Sequence, residues 1–364
     1  MFDIKGAAKE LLEGCIIKSS SGIDMLTPDG LKNYPGLWTR DFAYMLMYAG
    51  ELIEPDKSRD CLEYLLNRVD ENGWVPDKVD ANGVPAYVAG AGAFEALPNL
   101  DNGPFLIIAA YTYLKSLCEE PAKEFFLKWE KVLLKGIECL PKNSEYIILN
   151  DSPVPHSPYG FTDTVCKTGA LAMETLLLWH SIRLLLDLQQ KFSEKEEKLI
   201  VAKESIEHSF LKTFISDCGM LYAATGICRQ IDVWASCYML AIDFPVPKEN
   251  KSRIIKWLTD NYESIMYKGQ MRHLPAGEYW EKTFLNVEKN TYQNGAFWAT
   301  PTVWFIEAVK NYDIELANKT LNDVLNYFET NGIYECVYED DCKLNTYVAS
   351  ATNIYGAAKI LNVI

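Results

Sequence analysis

Apolar side chains recur at helical spacing through most of the chain, and they define two kinds of helix. One kind is rich in Ala, Gly, Ser and apolar residues, and it must be buried because few charges lie on any face. Six such helices are predicted, over Phe42–Leu52, Pro104–Leu117, Thr168–Leu186, Val233–Ile242, Phe297–Val309 and Val348–Ile360. The other kind is amphipathic and dense in Lys and Glu, and it is predicted over Ile4–Glu13, Ser58–Val69, Ala122–Leu140, Glu194–Phe214, Glu249–Met266 and Glu315–Thr330.

The two kinds of helix alternate along the chain, and this order predicts the architecture. Alternation favours an all-α toroid of the (α/α)6 type, with six inner helices ringed by six outer ones. An open superhelical array would need atypical end repeats, whereas here the N-terminal amphipathic helix completes the pair of the last buried helix. Short β-ribbons are predicted in loops at Tyr146–Leu149 and Gly219–Tyr222. No linker rich in Pro, Ser and Gly interrupts the pattern, so residues 1–364 are interpreted as one domain.

The formal net charge of −15 narrows the range of partners. Phosphate backbones and anionic membranes attract clustered Lys and Arg, so neither nucleic acid nor a membrane is expected as a partner. No apolar run approaches the roughly 20 residues that cross a bilayer, and no basic segment precedes an apolar stretch at the N-terminus. These features indicate a cytoplasmic protein, and they leave open whether it forms a homo-oligomer.

The ten cysteines are scattered singly and the four histidines are dispersed, so neither set has the spacing of a zinc site. Several of the cysteines fall inside helical patterns, and buried free thiols are therefore expected rather than disulfides. We predict no metal and no cofactor.

Each predicted inner helix is preceded by a polar and aromatic segment, and in a closed ring all six segments gather on one rim. The segments are Leu37–Asp41, Leu100–Gly103, Gly160–Thr164, Arg229–Asp232, Tyr292–Gly295 and Leu344–Tyr347. Such a rim suits a sugar, because hydroxyl groups need polar partners and a pyranose face stacks on aromatic rings. The predicted substrate-binding residues are Trp38, Arg40, Asp41, Asp101, Asn102, Phe161, Asp232, Trp234, His273, Glu278, Trp280, Gln293 and Asn294.

Helix capping is the competing interpretation of the same segments, since Asp, Asn and Thr are common N-caps. Any one of Asp101, Asp163 and Asp232 suits a cap as well as it suits an active site. Capping does not explain the aromatic rings and the Arg that accompany these acids, and the rim as a whole is therefore interpreted as a site.

The segment Tyr34-Pro35-Gly36-Leu37-Trp38-Thr39-Arg40-Asp41 resembles the Trp-Thr-Arg-Asp motif of glucoamylases and the Trp-x-Arg-Asp motif of glycogen-debranching glucosidases. Both groups are six-hairpin barrel glycosidases, and the resemblance implies that Arg40 and Asp41 hold sugar hydroxyls at the cleavage subsite. Processing glucosidases and trehalases of that superfamily carry their general-acid Asp where this chain has Gly160-Phe161-Thr162-Asp163. Gly332-Ile333-Tyr334-Glu335 looks like the segment that carries their general base. The Glu-Glu acid segment of glucoamylases proper is absent, as is the accessory β-domain of many relatives.

The resemblance therefore implies an inverting glycoside hydrolase that acts on a neutral, glucoside-type oligosaccharide, with Asp163 as the acid and Glu335 as the base. Inversion needs the two carboxyl groups roughly 6.5–9.5 Å apart, so that a water molecule fits between base and sugar. Glu278 is the second candidate for the base, and Glu281 and Asp232 also compete. The acidic run at 339–341 is typical of a solvated turn.

Two other functions remain open on the sequence. Related helical toroids include phosphorylases, sugar epimerases, uronyl hydrolases and lyases. An epimerase would need a histidine pair, for which His156 and His273 are the loop candidates, and a lyase would need a more basic rim. A non-catalytic helical binding protein is the third hypothesis, and it predicts a charged or apolar outer groove instead of a rim dense in Trp, Arg and acids.

Overall fold

The computed structural model describes residues 2–92, 95–338 and 341–364. Glu339 and Asp340, from the predicted solvated turn, lie outside the described residues. The described residues form thirteen α-helices and eleven short β-strands.

Six helices of low charge form an inner ring. They are α2 (Thr39–Ala49), α4 (Asn102–Lys115), α6 (Ala172–Phe192), α8 (Val233–Ala241), α11 (Thr302–Val309) and α13 (Val348–Ile360). The outer helices are α1 (Ile4–Gly14), α3 (Pro55–Leu66), α5 (Glu119–Glu138), α7 (Glu197–Phe214), α9 (Lys248–Asp260) with the short α10 (Tyr262–Ile265), and α12 (Ile314–Asn331).

The inner helices close into a ring, because each packs against the next and α13 returns to α2. The N-terminal helix α1 packs against α13 and so completes the sixth pair. Burial follows the predicted division: every residue of α2 except Met47 is buried, whereas α12 buries only one stripe of its surface. The all-α toroid predicted from the alternation of helix types is confirmed.

Three inner helices begin three or more residues away from their predicted starts, and two of these shifts have a local cause. Helix α6 begins four residues late, because Gly169 has a φ of 80° and pairs with Asn150 in a short ribbon. Helix α11 begins after Pro301, because the backbone of Phe297 is engaged by Val337. Helix α2 begins early, at Thr39, so that Arg40 and Asp41 lie in its first turn.

Five small antiparallel sheets lie in the loops that the structure describes. Their strands are β1 (Ile16–Lys18) with β2 (Asp24–Leu26), β3 (Leu37–Trp38) with β4 (Lys78–Val79) and β5 (Pro85–Ala86), β6 (Leu149–Asn150) with β7 (Gly169–Ala170), β8 (Met266–Tyr267) with β9 (Gln270–Met271), and β10 (Tyr334–Val337) with β11 (Cys342–Asn345). The ribbon prediction was only partly right. Within Tyr146–Leu149 only Leu149 lies in a strand, and Gly219–Tyr222 contributes isolated bridges.

All ten cysteines are free thiols. Six are buried, whereas Cys118 is exposed and Cys139, Cys218 and Cys342 are partly exposed, so the expectation of burial holds for part of the set. In the described parts of the chain, no helix is long and apolar enough to span a bilayer.

Candidate active site

A cavity of about 150 Å³ opens among the segments that precede the inner helices. Its lining comes from the start of α2, the turn before α6, the loop before α11, strand β10 and the N-cap of α13. The lining residues are Pro28, Tyr34, Trp38, Arg40, Asp41, Gly90, Gly160, Phe161, Asp163, Thr164, Tyr292, Glu335 and Tyr347. Segments far apart in the sequence therefore converge on one site.

Arg40 forms the buried ionic centre of the cavity wall. Its Nη1 lies 2.5 Å from Oδ1 of Asp77, and its Nε lies 3.8 Å from Oδ2 of Asp101. The same Nη1 donates to Oδ1 of Asn102 at 3.4 Å. Burial disfavours the charged guanidinium, but the surrounding carboxylates outweigh that effect and raise the pKa of Arg40. The guanidinium is therefore fixed and charged at the base of the cavity.

Gly160 lets the Arg40 side chain pass directly beneath the loop that precedes α6. A Cβ at this position would lie 1.8 Å from Nε of Arg40, so no larger residue fits without movement of the guanidinium. The backbone N–H of Gly160 donates to Oδ2 of Asp101 at 2.7 Å. Asp101 thus ties the loop to the first turns of two inner helices, and it lies behind the cavity wall instead of lining it.

Asp41 lines the cavity from the first turn of α2, where a carboxylate is favoured by the helix dipole. Its Oδ1 accepts a hydrogen bond of 2.6 Å from the hydroxyl of Tyr347. Burial raises the pKa of Asp41, although the charge of Arg40 acts in the opposite direction. A buried carboxylate that already has one hydroxyl donor is well placed to accept another from a ligand.

Asp163 follows the short 3-10 turn Gly160–Thr162 and remains partly exposed to the cavity. Its Oδ1 accepts from Nε2 of Gln293 at 2.7 Å, while Oε1 of Gln293 accepts from the backbone and hydroxyl of Thr164. Burial raises the pKa of Asp163 to about 6, against the opposing attraction of Arg40. Gln293 is itself 1% exposed, and it holds the Asp163 loop from behind without lining the cavity.

Glu335 lies on β10, and its environment consists of hydroxyl groups and one lysine. The hydroxyl of Tyr34 lies 3.0 and 3.2 Å from its two carboxyl oxygens, and that of Tyr292 lies 3.4 Å from Oε1. Nζ of Lys343, on the paired strand, is 4.0 Å from Oε2. Burial raises the pKa of Glu335 to about 8, although Lys343 and the Tyr34 hydrogen bond both lower it.

Five further predicted residues form a layer behind the cavity instead of lining it. Trp234 and His273 stack with ring centroids 3.5 Å apart, and Nε2 of His273 donates to the carbonyl of Phe161 at 3.1 Å. Trp280 donates through Nε1 to the carbonyl of Gln293, and Asn294 accepts from the backbone N–H of Trp280. Asp232 caps α8 by accepting from the backbone of Ala235. The capping interpretation therefore applies to Asp232.

Glu278 is exposed and lies outside the cavity lining, which corrects its prediction as a binding residue and rival base. It follows Pro275 in a tight turn, where the N–H of Glu278 bonds back to the Pro275 carbonyl. Asn102 also lies behind the wall, against Arg40.

Two charged residues that act on the site were not predicted from the sequence. Asp77 pairs with Arg40 from the position just before β4, and Lys343 faces Glu335 from β11. The sequence did contain a signal for Asp77. This acid lies between Pro76 and a short strand, where helix capping cannot explain it. Tyr34, Tyr292 and Tyr347 lie in segments that precede inner helices. The contacts of their hydroxyl groups are evident only from the folded structure. In the portion of the chain that the structure describes, no group of three His, Cys, Asp or Glu residues could hold a metal ion.

A ring of six helix pairs with a polar and aromatic cavity at one end is the architecture of the (α/α)6 barrels. The chain resembles the GH63 mannosylglycerate hydrolase of Thermus thermophilus, solved with glucose bound, with a TM-score of 0.72 and 13% identity over 99% of this chain and 100% of the other. It also resembles a rhamnosidase of Klebsiella oxytoca, solved with rhamnose bound, with a TM-score of 0.68 and 13% identity over 99% of this chain and 63% of the other. At such identities these likenesses establish the shared fold. No protein-family model matches the chain, and no curated protein matches it in sequence.

Proposed function

We propose that the chain is a glycoside hydrolase that cleaves a neutral, glucoside-type sugar from its substrate. The observation that carries the proposal is the meeting of two carboxyl groups, on the partly exposed Asp163 and the buried Glu335, with Arg40 and Asp41 in one cavity. The mannosylglycerate hydrolase and the rhamnosidase with this fold are glycosidases, which adds support.

The size and lining of the cavity favour a single sugar ring as the bound unit. Pockets for drug-sized ligands occupy roughly 300–1,000 Å³, and this cavity of about 150 Å³ is smaller. Trp38 and Tyr292 line the cavity with aromatic rings, and Nε1 of Trp38 is buried without an acceptor among the described residues. A sugar hydroxyl would supply that acceptor. The lining carries more carboxyl groups than cations, which favours a neutral sugar over an acidic one.

In the proposed mechanism, Asp163 gives its proton to the glycosidic oxygen while the bond from that oxygen to the anomeric carbon breaks. Glu335 takes a proton from a water molecule whose oxygen bonds to the anomeric carbon from the opposite face, which inverts its configuration. Two hydroxyl donors and Lys343 face Glu335, and they stabilise the ionised form that a base requires. Asp163 has one amide donor, at Oδ1.

The pKa values also allow the roles of general acid and general base to be exchanged. Burial raises the pKa of Glu335 to about 8 and that of Asp163 only to about 6. At neutral pH the group with the higher pKa holds the proton more firmly and suits a general acid. Glu335 would then protonate the leaving group and Asp163 would activate the water molecule.

The neighbouring histidines do not favour an epimerase. His273 is buried behind Phe161, and Nδ1 of His156 lies 2.7 Å from the carbonyl of Pro98. Neither lines the cavity. The paired carboxyl groups are therefore the chemistry on which the proposal rests.

Proton NMR of the products from a panel of α- and β-glycosides tests the activity and its stereochemistry together. The expected first product is the inverted sugar, and failure to hydrolyse any glycoside of the panel would reject the proposal. Asp163→Asn and Glu335→Gln then assign the roles. Loss of the acid should slow natural glycosides by roughly 10²–10⁴ and spare glycosyl fluorides, whose leaving group needs no proton. Loss of the base should slow both substrates. The opposite pattern would establish the reversed assignment.

A further inference from the structure

The loop that carries Asp163 ends in a lysine that is buried completely. Lys167 is 0% exposed, and its Nζ lies 3.8 Å from Oδ2 of Asp232 at the start of α8. The same ammonium lies 5.1 Å from the centre of the Trp280 ring. Glu174, in the first turn of α6, is also 0% exposed, and the charge of Lys167 acts on its carboxylate. The lysine thus sits between the first turns of two inner helices.

Backbone contacts tie the same loop at further points. Nδ2 of Asn150 donates to the carbonyl of Lys167 at 2.8 Å, and the N–H of Cys166 donates to the carbonyl of Lys282 at 3.0 Å. At the other end, Gln293 bonds both Asp163 and Thr164. Five consecutive residues are therefore held along their length, with Asp163 at one end and the Lys167 ammonium at the other.

Stability alone does not account for a buried charge at position 167. Desolvation of an ammonium and its partner carboxylates is costly, and well-packed apolar residues of the same volume stabilise such positions equally or better. Nζ of Lys167 has no partner within normal hydrogen-bond distance among the described residues, because Oδ2 of Asp232 is 3.8 Å away, so a short hydrogen bond does not compensate for that cost. What the charge does provide is attraction toward Asp232 and Glu174, which fixes the loop against the helices.

We propose that Lys167 is a positioning residue, and that its attraction to Asp232 and Glu174 holds the 163–167 loop so that Asp163 meets the glycosidic oxygen. The inference rests on the proposed function, because it concerns the geometry of proton transfer by Asp163. Lys167 lies outside the cavity lining, and it acts on the reaction only through the loop.

The test compares Lys167→Met with Lys142→Met, which is a matched control. Lys142 is also half-buried or more, and it donates to the carbonyls of Ile137, Glu138 and Leu140 at the end of α5. Each variant is assayed on a glycoside with a poor leaving group and on the corresponding glycosyl fluoride, well below its melting temperature. Hydrogen–deuterium exchange of the 163–167 segment is measured alongside.

Lys167→Met is expected to lower kcat on the poor leaving group by roughly 10- to 100-fold, which is part of the 10²–10⁴ that general acid catalysis supplies. KM and turnover of the fluoride should change less than twofold, and exchange in the 163–167 segment should increase. Lys142→Met should affect both substrates equally. An equal loss on both substrates for Lys167→Met, or no loss on either, would overturn the inference.

Two further outcomes are separable. If Lys167→Met does not fold, the triple variant Lys167→Met, Glu174→Gln, Asp232→Asn removes the unpaired acids, and the same comparison of substrates decides. If the wild type hydrolyses no glycoside, the proposed function fails by itself. The anchoring of the loop is then judged by exchange alone, and unchanged exchange in the Lys167→Met variant would overturn it.

Discussion

The two carboxyl groups of the cavity are held by different kinds of chemistry. Asp163 belongs to a region of buried ions and amides, in which Arg40 pairs with Asp77 and Asp101 and Gln293 bonds the carboxylate. Glu335 belongs to a region of hydroxyl groups, supplied by Tyr34 and Tyr292, with the partly exposed Lys343 beyond them.

The difference indicates how each region should respond to change. A buried ion pair is strongly penalised when one partner is removed, since the remaining charge has neither water nor a counter-charge. A carboxyl group that faces hydroxyls loses one hydrogen bond at a time, so its pKa shifts before the fold is affected. The Asp163 region should therefore govern stability, and the Glu335 region should be the one where pKa can be tuned.

The largest effect on stability is expected for Arg40→Met. This change leaves Asp77 and Asp101 buried without their shared cation, and it should lower the free energy of unfolding by about 3–5 kcal/mol. Urea unfolding at neutral pH measures the change. Arg183→Met is the control, because Arg183 donates to the carbonyl of Ile242 and stacks on Trp179 outside the site. Equal losses in the two variants would contradict the ionic character of the Asp163 region.

The next largest effect is a fall in the free energy of unfolding with rising pH, which we expect Glu335 to cause. Its pKa is about 8 in the folded protein against an ordinary value of 4.5, so the folded state binds the proton more tightly. This stabilisation is complete below about pH 4.5 and is lost as the pH rises towards 8. One pKa unit corresponds to about 1.4 kcal/mol, so the decline should amount to a few kcal/mol.

Glu335→Gln should flatten that decline, and urea unfolding at pH 5, 6.5 and 8 measures it. Asp163→Asn should remove only the loss of stability that occurs between about pH 4 and pH 6, since the pKa of Asp163 is about 6. The control is Glu307→Gln, which removes a partly exposed carboxylate paired with Lys310. A Glu335→Gln variant that retains the full pH dependence would show that another group is responsible.

The sequence predicts the ring of inner and outer helices well. A helix that is buried on all sides can be recognised from its amino-acid composition alone, because few of its residues are charged. Helices α4 and α13 each carry one charge, a lysine in the last turn, whereas α5 and α12 carry many Lys and Glu. This difference separates inner from outer helices without any tertiary information. Helix starts are less predictable. Thr168–Leu171 is as apolar as the helix that follows, and only its pairing with the ribbon at Leu149 shows that it is extended.

The candidate site is predictable as a rim but not as a set of contacts. The six segments that precede inner helices point to the correct end of the barrel. Only four of them contribute residues to the lining of the cavity. Asp101, Asp232 and Trp234 have the residue types of a sugar site and lie behind its wall. Side-chain direction at a helix start depends on the turn that precedes it, which the local pattern of apolar residues does not specify.

A smaller effect is expected for Tyr34→Phe. The Tyr34 hydroxyl stabilises the ionised form of Glu335, so its removal should raise the pKa of that carboxyl further, by roughly one unit. If Glu335 is the base, the ascending limb of the pH profile of kcat/KM should move to higher pH by that amount. Tyr262→Phe, which removes a hydroxyl bonded to Thr320, serves as the control and should leave the profile in place.

The smallest effect is expected for Lys343→Met, and salt distinguishes it from the change at Tyr34. Nζ of Lys343 lies 4.0 Å from Glu335, and the lysine side chain is 36% exposed, so water and ions screen the attraction. Its loss should raise the pKa of Glu335 by less than about one unit at low ionic strength, and the shift should shrink in 1 M salt. The shift in Tyr34→Phe should persist in salt, because it arises from a short hydrogen bond. If both shifts persist equally, the lysine contributes through direct contact, and the Glu335 region is as ionic as the Asp163 region.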